Sequence, residues 1–142
     1  MAAAVDRTHH RPLHPVHAVL IAGTVPLFLG ALLSDLAYSS SYQVQWTNFA
    51  SWLIVGGLVF CGFALMWSIV GLVRVDRRRG RPLIALLLLL TTWMLGFTNA
   101  LVHAKDAWAS MPEALVLSVL VAILALSATW IGFAGFRTGR TT

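Results

Sequence analysis

A cluster of arginines between two uncharged apolar runs most constrains how this chain can fold. The segment Arg74–Pro82 contains five of the ten Lys and Arg residues, and neither Phe49–Val73 before it nor Leu83–Val102 after it carries a charge. Each apolar run is long enough to cross a hydrocarbon layer of about 30 Å as a helix. An arginine at the bilayer centre costs at least about 2.5 kcal/mol, so the cluster stays outside the layer. The sequence therefore predicts two membrane-spanning helices joined by a basic turn.

Composition extends this prediction to the whole chain. Its 142 residues are 58% hydrophobic and 11% charged, with a mean hydropathy of +0.81, whereas soluble domains carry about 25% charged residues. We predict an all-α fold, a four-helix transmembrane bundle with up-down-up-down order over residues 16–136. A polar, histidine-containing arm at residues 1–15 precedes it and a tail at residues 137–142 follows it. The spans are expected at residues 16–38, 49–73, 82–103 and 113–136.

The distribution of positive charge predicts the orientation of the bundle. Four spans place both termini and the Arg74–Pro82 turn on one side, which then holds nine of the ten Lys and Arg residues; Lys105 is the tenth. Cytoplasmic loops retain Lys and Arg, so we expect both termini to be cytoplasmic in a bacterial inner membrane. The net charge of +5 lies in short loops beside apolar spans, so we expect no nucleic-acid partner.

Polar residues at the outer ends of the predicted helices form the best candidate site. At a rise of about 1.5 Å per residue, Asp35, Asn99 and His103 fall at similar depth near the membrane boundary. An ionisable residue within a span indicates function by default, and the alternative is that Asp35 and His103 pair only to hold two helices in register. With Trp52 added, we predict a cluster of four residues that faces a quinone or a partner protein.

Histidines near the N-terminus form a weaker candidate, a metal site. His14 and His17 follow His9 and His10 in the sequence, and adjacent histidines on an arm can bind metal. No cysteine stands at ligand spacing to them, so we expect no metal centre. A haem needs axial ligands at one depth, whereas His17 and His103 fall at opposite faces of the membrane, so we do not expect haem b.

Segments distributed over nearly the whole chain carry a family resemblance, and they are His14–Ala18, Leu29–Asp35, Gln45–Trp52 and Asn99–Trp108. They resemble the bacterial membrane proteins grouped as domain of unknown function 2231. Members of that family are similar to membrane modules that are fused to, or encoded beside, sorbosone-type quinoprotein sugar dehydrogenases or Rieske domains. The resemblance implies an anchor and electron-relay module between a periplasmic redox partner and membrane quinone.

Three functions stay open at this point. The first is an anchor and relay module, not an enzyme by itself, that serves a periplasmic quinoprotein dehydrogenase and binds ubiquinone. The second is a small transporter or channel subunit, which requires a homo-oligomer because four helices rarely enclose a pore alone. The third is a purely structural membrane protein in which Asp35 and His103 only hold two helices together. All three have the lipid bilayer as a partner.

Overall fold

The computed structural model describes residues 14–74, 81–105 and 107–137. Its helices are α1 (Pro15–Ser41), α2 (Val44–Arg74), α3 (Arg81–His103), α4 (Ala107–Ser110) and α5 (Glu113–Arg137). The four long helices are each long and apolar enough to span a membrane, which confirms the predicted all-α bundle of four transmembrane helices. The predicted arm before residue 14, the turn at residues 75–80 and the tail from residue 138 lie outside the described residues.

The four long helices form a square in which helices that follow each other in the chain are also neighbours in space. α1 packs against α2 and α5, and α3 packs against the same two helices, so α1 and α3 face each other across a diagonal. His17 near the start of α1 contacts Ser68 near the end of α2, and Ile21 accepts a hydrogen bond from Thr129 near the end of α5. The order is therefore up-down-up-down. We call the two ends of the bundle the His17 end and the Asp35 end.

Phe28 of α1 fills the middle of the bundle because two facing helices carry glycine at its level. Its side chain is buried, and its ring lies against Gly57 of α2 and Gly96 of α3. A Cβ added at these glycines would lie 2.7 Å and 3.3 Å from the ring. Small residues let helices approach closely in a membrane. The two glycines therefore determine how close α2 and α3 come to α1.

The connection between α1 and α2 is shorter than the sequence predicted. The spans predicted at residues 16–38 and 49–73 leave residues 39–48 between them, whereas α1 continues to Ser41 and α2 begins at Val44. The serine hydroxyls at positions 39–41 donate to carbonyls one turn earlier in α1, so these polar side chains are satisfied within a helix. Tyr42 then ends α1 in the left-handed conformation, with φ of 55°. The other connection at this end lies between the spans predicted at residues 82–103 and 113–136, and it contains the short helix α4.

Candidate functional site

Four polar residues form a closed ring of hydrogen bonds toward the Asp35 end. Asp35 Oδ1 lies 2.9 Å from His103 Nε2, and the Ser118 hydroxyl donates to Asp35 Oδ2 at 2.5 Å. Asn99 Nδ2 donates to Ser118 Oγ at 2.8 Å. His103 Nδ1 lies 3.0 Å from the main-chain carbonyl oxygen of Asn99. The connections begin and end at Asn99 and join α1, α3 and α5, and we call these four residues the polar ring.

Antiparallel packing brings the polar ring together. Asp35 lies about two turns before the end of α1, His103 is the last residue of α3, and Ser118 lies in the second turn of α5. These positions are level because α1 and α3 end where α5 begins. Asn99 precedes His103 by four residues, so both side chains lie on one face of α3. Helices α1, α3 and α5 thus contribute polar groups to the same level of the bundle.

The polar ring is inaccessible to solvent. Asp35 is 0% exposed, Asn99 1%, Ser118 2% and His103 7%. A polar group removed from water without a hydrogen bond costs roughly 1–3 kcal/mol in proteins, so mutual pairing is what makes this burial tolerable. One acceptor is left over, because Asn99 Oδ1 is buried without a hydrogen-bond partner among the described residues.

The partners determine where the hydrogens lie in the polar ring. A carbonyl oxygen only accepts, so His103 Nδ1 carries a hydrogen. A further hydrogen must lie between His103 Nε2 and Asp35 Oδ1, on one atom or the other. The pair is therefore either an imidazolium with a carboxylate or a neutral imidazole with a carboxylic acid. Both forms have zero net charge, which reduces the cost of burial.

The structure brings together three of the four residues predicted for the site. Asp35, Asn99 and His103 belong to the polar ring, whereas Trp52 lies on α2 with 71% of its surface exposed and takes no part in the ring. Ser118 completes the ring, and sequence reasoning missed it because a small residue inside an apolar span is typical of close packing between helices. Its hydroxyl, at the depth of Asp35, was the signal that could have found it.

The weak metal candidates His14 and His17 lie at the opposite end of the bundle. His17 is buried, with Nε2 3.4 Å from the Ser68 hydroxyl. His14 is exposed, and its ring centroid lies 4.8 Å from that of Trp67. Within the described part of the chain, no three His, Cys, Asp or Glu side chains lie close enough to hold a metal ion. His17 and His103 are at opposite ends of the bundle, as the spacing predicted.

Four apolar spans around a buried polar ring define an integral membrane protein. Comparison with protein families matches residues 13–136 to the family described as Predicted membrane protein (DUF2231). The chain belongs to this family, as the resemblance of its segments predicted. No curated protein and no solved structure gives a significant match.

Proposed function

We propose that this chain is the membrane anchor of a redox partner and that its polar ring exchanges protons for the reduction or oxidation of ubiquinone. The chain is not an enzyme by itself, and the partner, a periplasmic quinoprotein dehydrogenase, performs the chemistry on its substrate. One observation carries the proposal: His103 Nε2 lies 2.9 Å from Asp35 Oδ1, which is close enough for the two atoms to share a hydrogen. A group that gives and regains a proton must lie within hydrogen-bond reach of the reacting oxygen.

The left-over acceptor of the polar ring fits a quinone of this kind. Ubiquinone, when bound, supplies two-electron chemistry that takes up two protons. Asn99 Oδ1 is buried without a hydrogen-bond partner among the described residues, and a quinol hydroxyl is a donor that would satisfy it. His103 Nε2 and Asp35 Oδ1 then hold the proton to be exchanged, and Trp52, exposed on α2, offers an aromatic surface to the incoming ring.

The chemistry of the pair supports proton exchange. Ser118 donates to the second oxygen of Asp35, and the main-chain carbonyl of Asn99 orients the imidazole of His103. A proton can therefore move between Nε2 and Oδ1 while the other bonds are kept and no net charge is created. Ala104 and Lys105 directly after α3 are exposed, so replacement protons have a short path from water.

The location of the polar ring supports docking of the partner at the Asp35 end. His103 is the last residue of α3, so the ring lies close to the membrane boundary. Lys105 is the one cation of ten expected on this side, and cytoplasmic loops are the ones that retain positive charge. We assign the Asp35 end to the periplasmic side of a bacterial inner membrane, where a dehydrogenase would reach it.

Replacing His103 by glutamine tests the proposal, with His17→Gln as a matched control. Glutamine can still form a hydrogen bond to Asp35 but cannot act as an acid or a base near neutral pH. We expect quinone reduction in membranes that contain the chain and its partner to fall at least about tenfold in His103→Gln and to stay unchanged in His17→Gln. Tryptophan fluorescence measures binding of decylubiquinone to each purified variant in nanodiscs and so checks that the site is still formed.

Three outcomes would count against the proposal. The wild-type chain could fail to bind decylubiquinone, quinone reduction could persist in His103→Gln, or both histidine variants could lose reduction equally. The first outcome would show that the chain has no quinone site, and either of the other two would show that the imidazole in the polar ring has no special part in the redox reaction.

A purely structural role is the second candidate, and the closure of the polar ring favours it. Every member bonds to another member, so the ring connects three helices without any ligand. In that case His103→Gln lowers the thermal stability of the chain in nanodiscs and leaves decylubiquinone binding and reduction as they were. Measuring unfolding and reduction on the same preparation separates the two functions.

A further inference from the structure

Trp130 protrudes from the bundle on the face formed by α1 and α5. Its side chain is 72% exposed, and a hollow lies on either side of it. The larger hollow, about 390 Å³, lies between α1 and α5 and is lined by residues that include Ala22, Pro26 and Thr129. The second, about 370 Å³, is lined by Trp130 and by its neighbours on α5. This face therefore carries a protrusion and a depression at the same depth.

Pro26 leaves one carbonyl of α1 without its usual donor beside the larger hollow. Proline has no backbone N–H, so the Ala22 carbonyl lacks its ordinary helical donor, and both residues line the hollow. The Thr129 hydroxyl donates to the adjacent carbonyl of Ile21, at 3.4 Å. A carbonyl in a lipid environment needs a donor because no water is present to supply one. The indole N–H of Trp130 is such a donor, and it normally finds a partner when it is buried.

We propose that this face is the interface of a homodimer, in which Trp130 of each copy inserts into the larger hollow of the other. A two-fold axis along the membrane normal keeps equivalent residues at equal depth. Trp130 lines the same hollow as Ala22 and Pro26, so the axis brings the partner's Trp130 level with that hollow. A cavity of about 150 Å³ accepts a benzene ring, and a hollow of about 390 Å³ therefore admits an indole.

A second copy of the protein complements this face, in shape and in hydrogen bonding, better than a lipid acyl group does. An acyl chain can fill the hollow but has no donor for the Ala22 carbonyl, whereas the partner's Trp130 brings an aromatic ring and an N–H together. Two-fold symmetry forms each contact twice, so both protrusions and both hollows are used. Close packing and hydrogen bonds between helices are the forces that associate helices in lipid.

Trp130→Ala tests the interface, with Trp52→Ala as the control. Trp52 is 71% exposed, so the two variants remove equally exposed indoles from different helices. Donor- and acceptor-labelled full chains in phosphatidylcholine–phosphatidylglycerol vesicles would report association by energy transfer as the protein-to-lipid ratio is lowered. We expect Trp130→Ala to weaken association at least tenfold and Trp52→Ala to leave it within twofold.

A double-mutant cycle tests the hydrogen bond. Trp130→Phe keeps an aromatic ring and removes the N–H, while Pro26→Ala returns a helical donor to the Ala22 carbonyl. Each single variant is expected to weaken association about threefold. The double variant should weaken it no more than either single variant, because both substitutions remove the same hydrogen bond. Additive losses would overturn the assigned bond. Any of three results would overturn the interface. The wild type could be monomeric, it could appear in native mass spectrometry as a monomer that retains lipid, or Trp130→Ala could associate as well as the wild type.

Discussion

At Asp35, side chains from two other helices meet one carboxyl group. His103 of α3 contacts Oδ1 and Ser118 of α5 donates to Oδ2, so both oxygens are occupied. The residue is fully buried, and removing either partner leaves a polar atom with nothing to replace it. The free energy of unfolding of the bundle should therefore depend on these two contacts more than on any exposed polar contact.

Ser118→Ala measures this dependence, with Ser127→Ala on the same helix as its control. The Ser118 hydroxyl joins Asn99 to Asp35, so its loss leaves two buried groups short of a partner. The Ser127 hydroxyl only donates to the Ile123 carbonyl of its own helix. We expect the free energy of unfolding to fall by roughly 1–3 kcal/mol in Ser118→Ala and by less than about 0.5 kcal/mol in Ser127→Ala. Denaturant titration in mixed micelles measures both, and equal effects would contradict the importance of the polar ring.

At the scale of the helix, glycine determines how closely α2 approaches α1. A methyl group at Gly57 would lie 2.7 Å from Phe28, whereas one at Gly71 of the same helix meets nothing within 4 Å. We expect Gly57→Ala to lower the free energy of unfolding by about 1–3 kcal/mol through overpacking. Gly71→Ala should be neutral or raise it by up to about 1 kcal/mol, because alanine favours helix. Thermal unfolding in nanodiscs compares them, and a neutral Gly57→Ala would show that α2 can move away without cost.

The helices themselves could be predicted from the sequence because length and hydropathy decide whether a segment spans a membrane. The end of α1 could not, since serine is typical of loops and only the structure shows the hydroxyls at positions 39–41 bonded to carbonyls of their own helix. Depth along a helix predicted that Asp35, Asn99 and His103 are level. The direction in which a side chain leaves a helix is harder to predict from a sequence whose helix faces are all apolar, which is why Ser118 was missed.

At the scale of the whole molecule, charge predicts which end faces the cytoplasm. Nine of the ten Lys and Arg residues are expected on the side of the termini. Alkaline phosphatase is active only after export, so a fusion after Thr142 should be inactive and one after Lys105 active. A fusion within Arg77–Arg79 should be inactive as well. An active fusion in that turn would show that the bundle has the opposite orientation, with the Asp35 end facing the cytoplasm.

The polar ring occupies a single end of the bundle, and this has an energetic consequence for the redox role proposed above. A proton that enters and leaves through the Asp35 end does not traverse the insulating thickness of the bilayer. Full passage against a membrane potential involves about 2.3 kcal/mol per charge for each 100 mV, and exchange at one boundary avoids that work. Turnover at this ring would then be non-electrogenic, so dissipating the membrane potential with an ionophore should leave its rate unchanged.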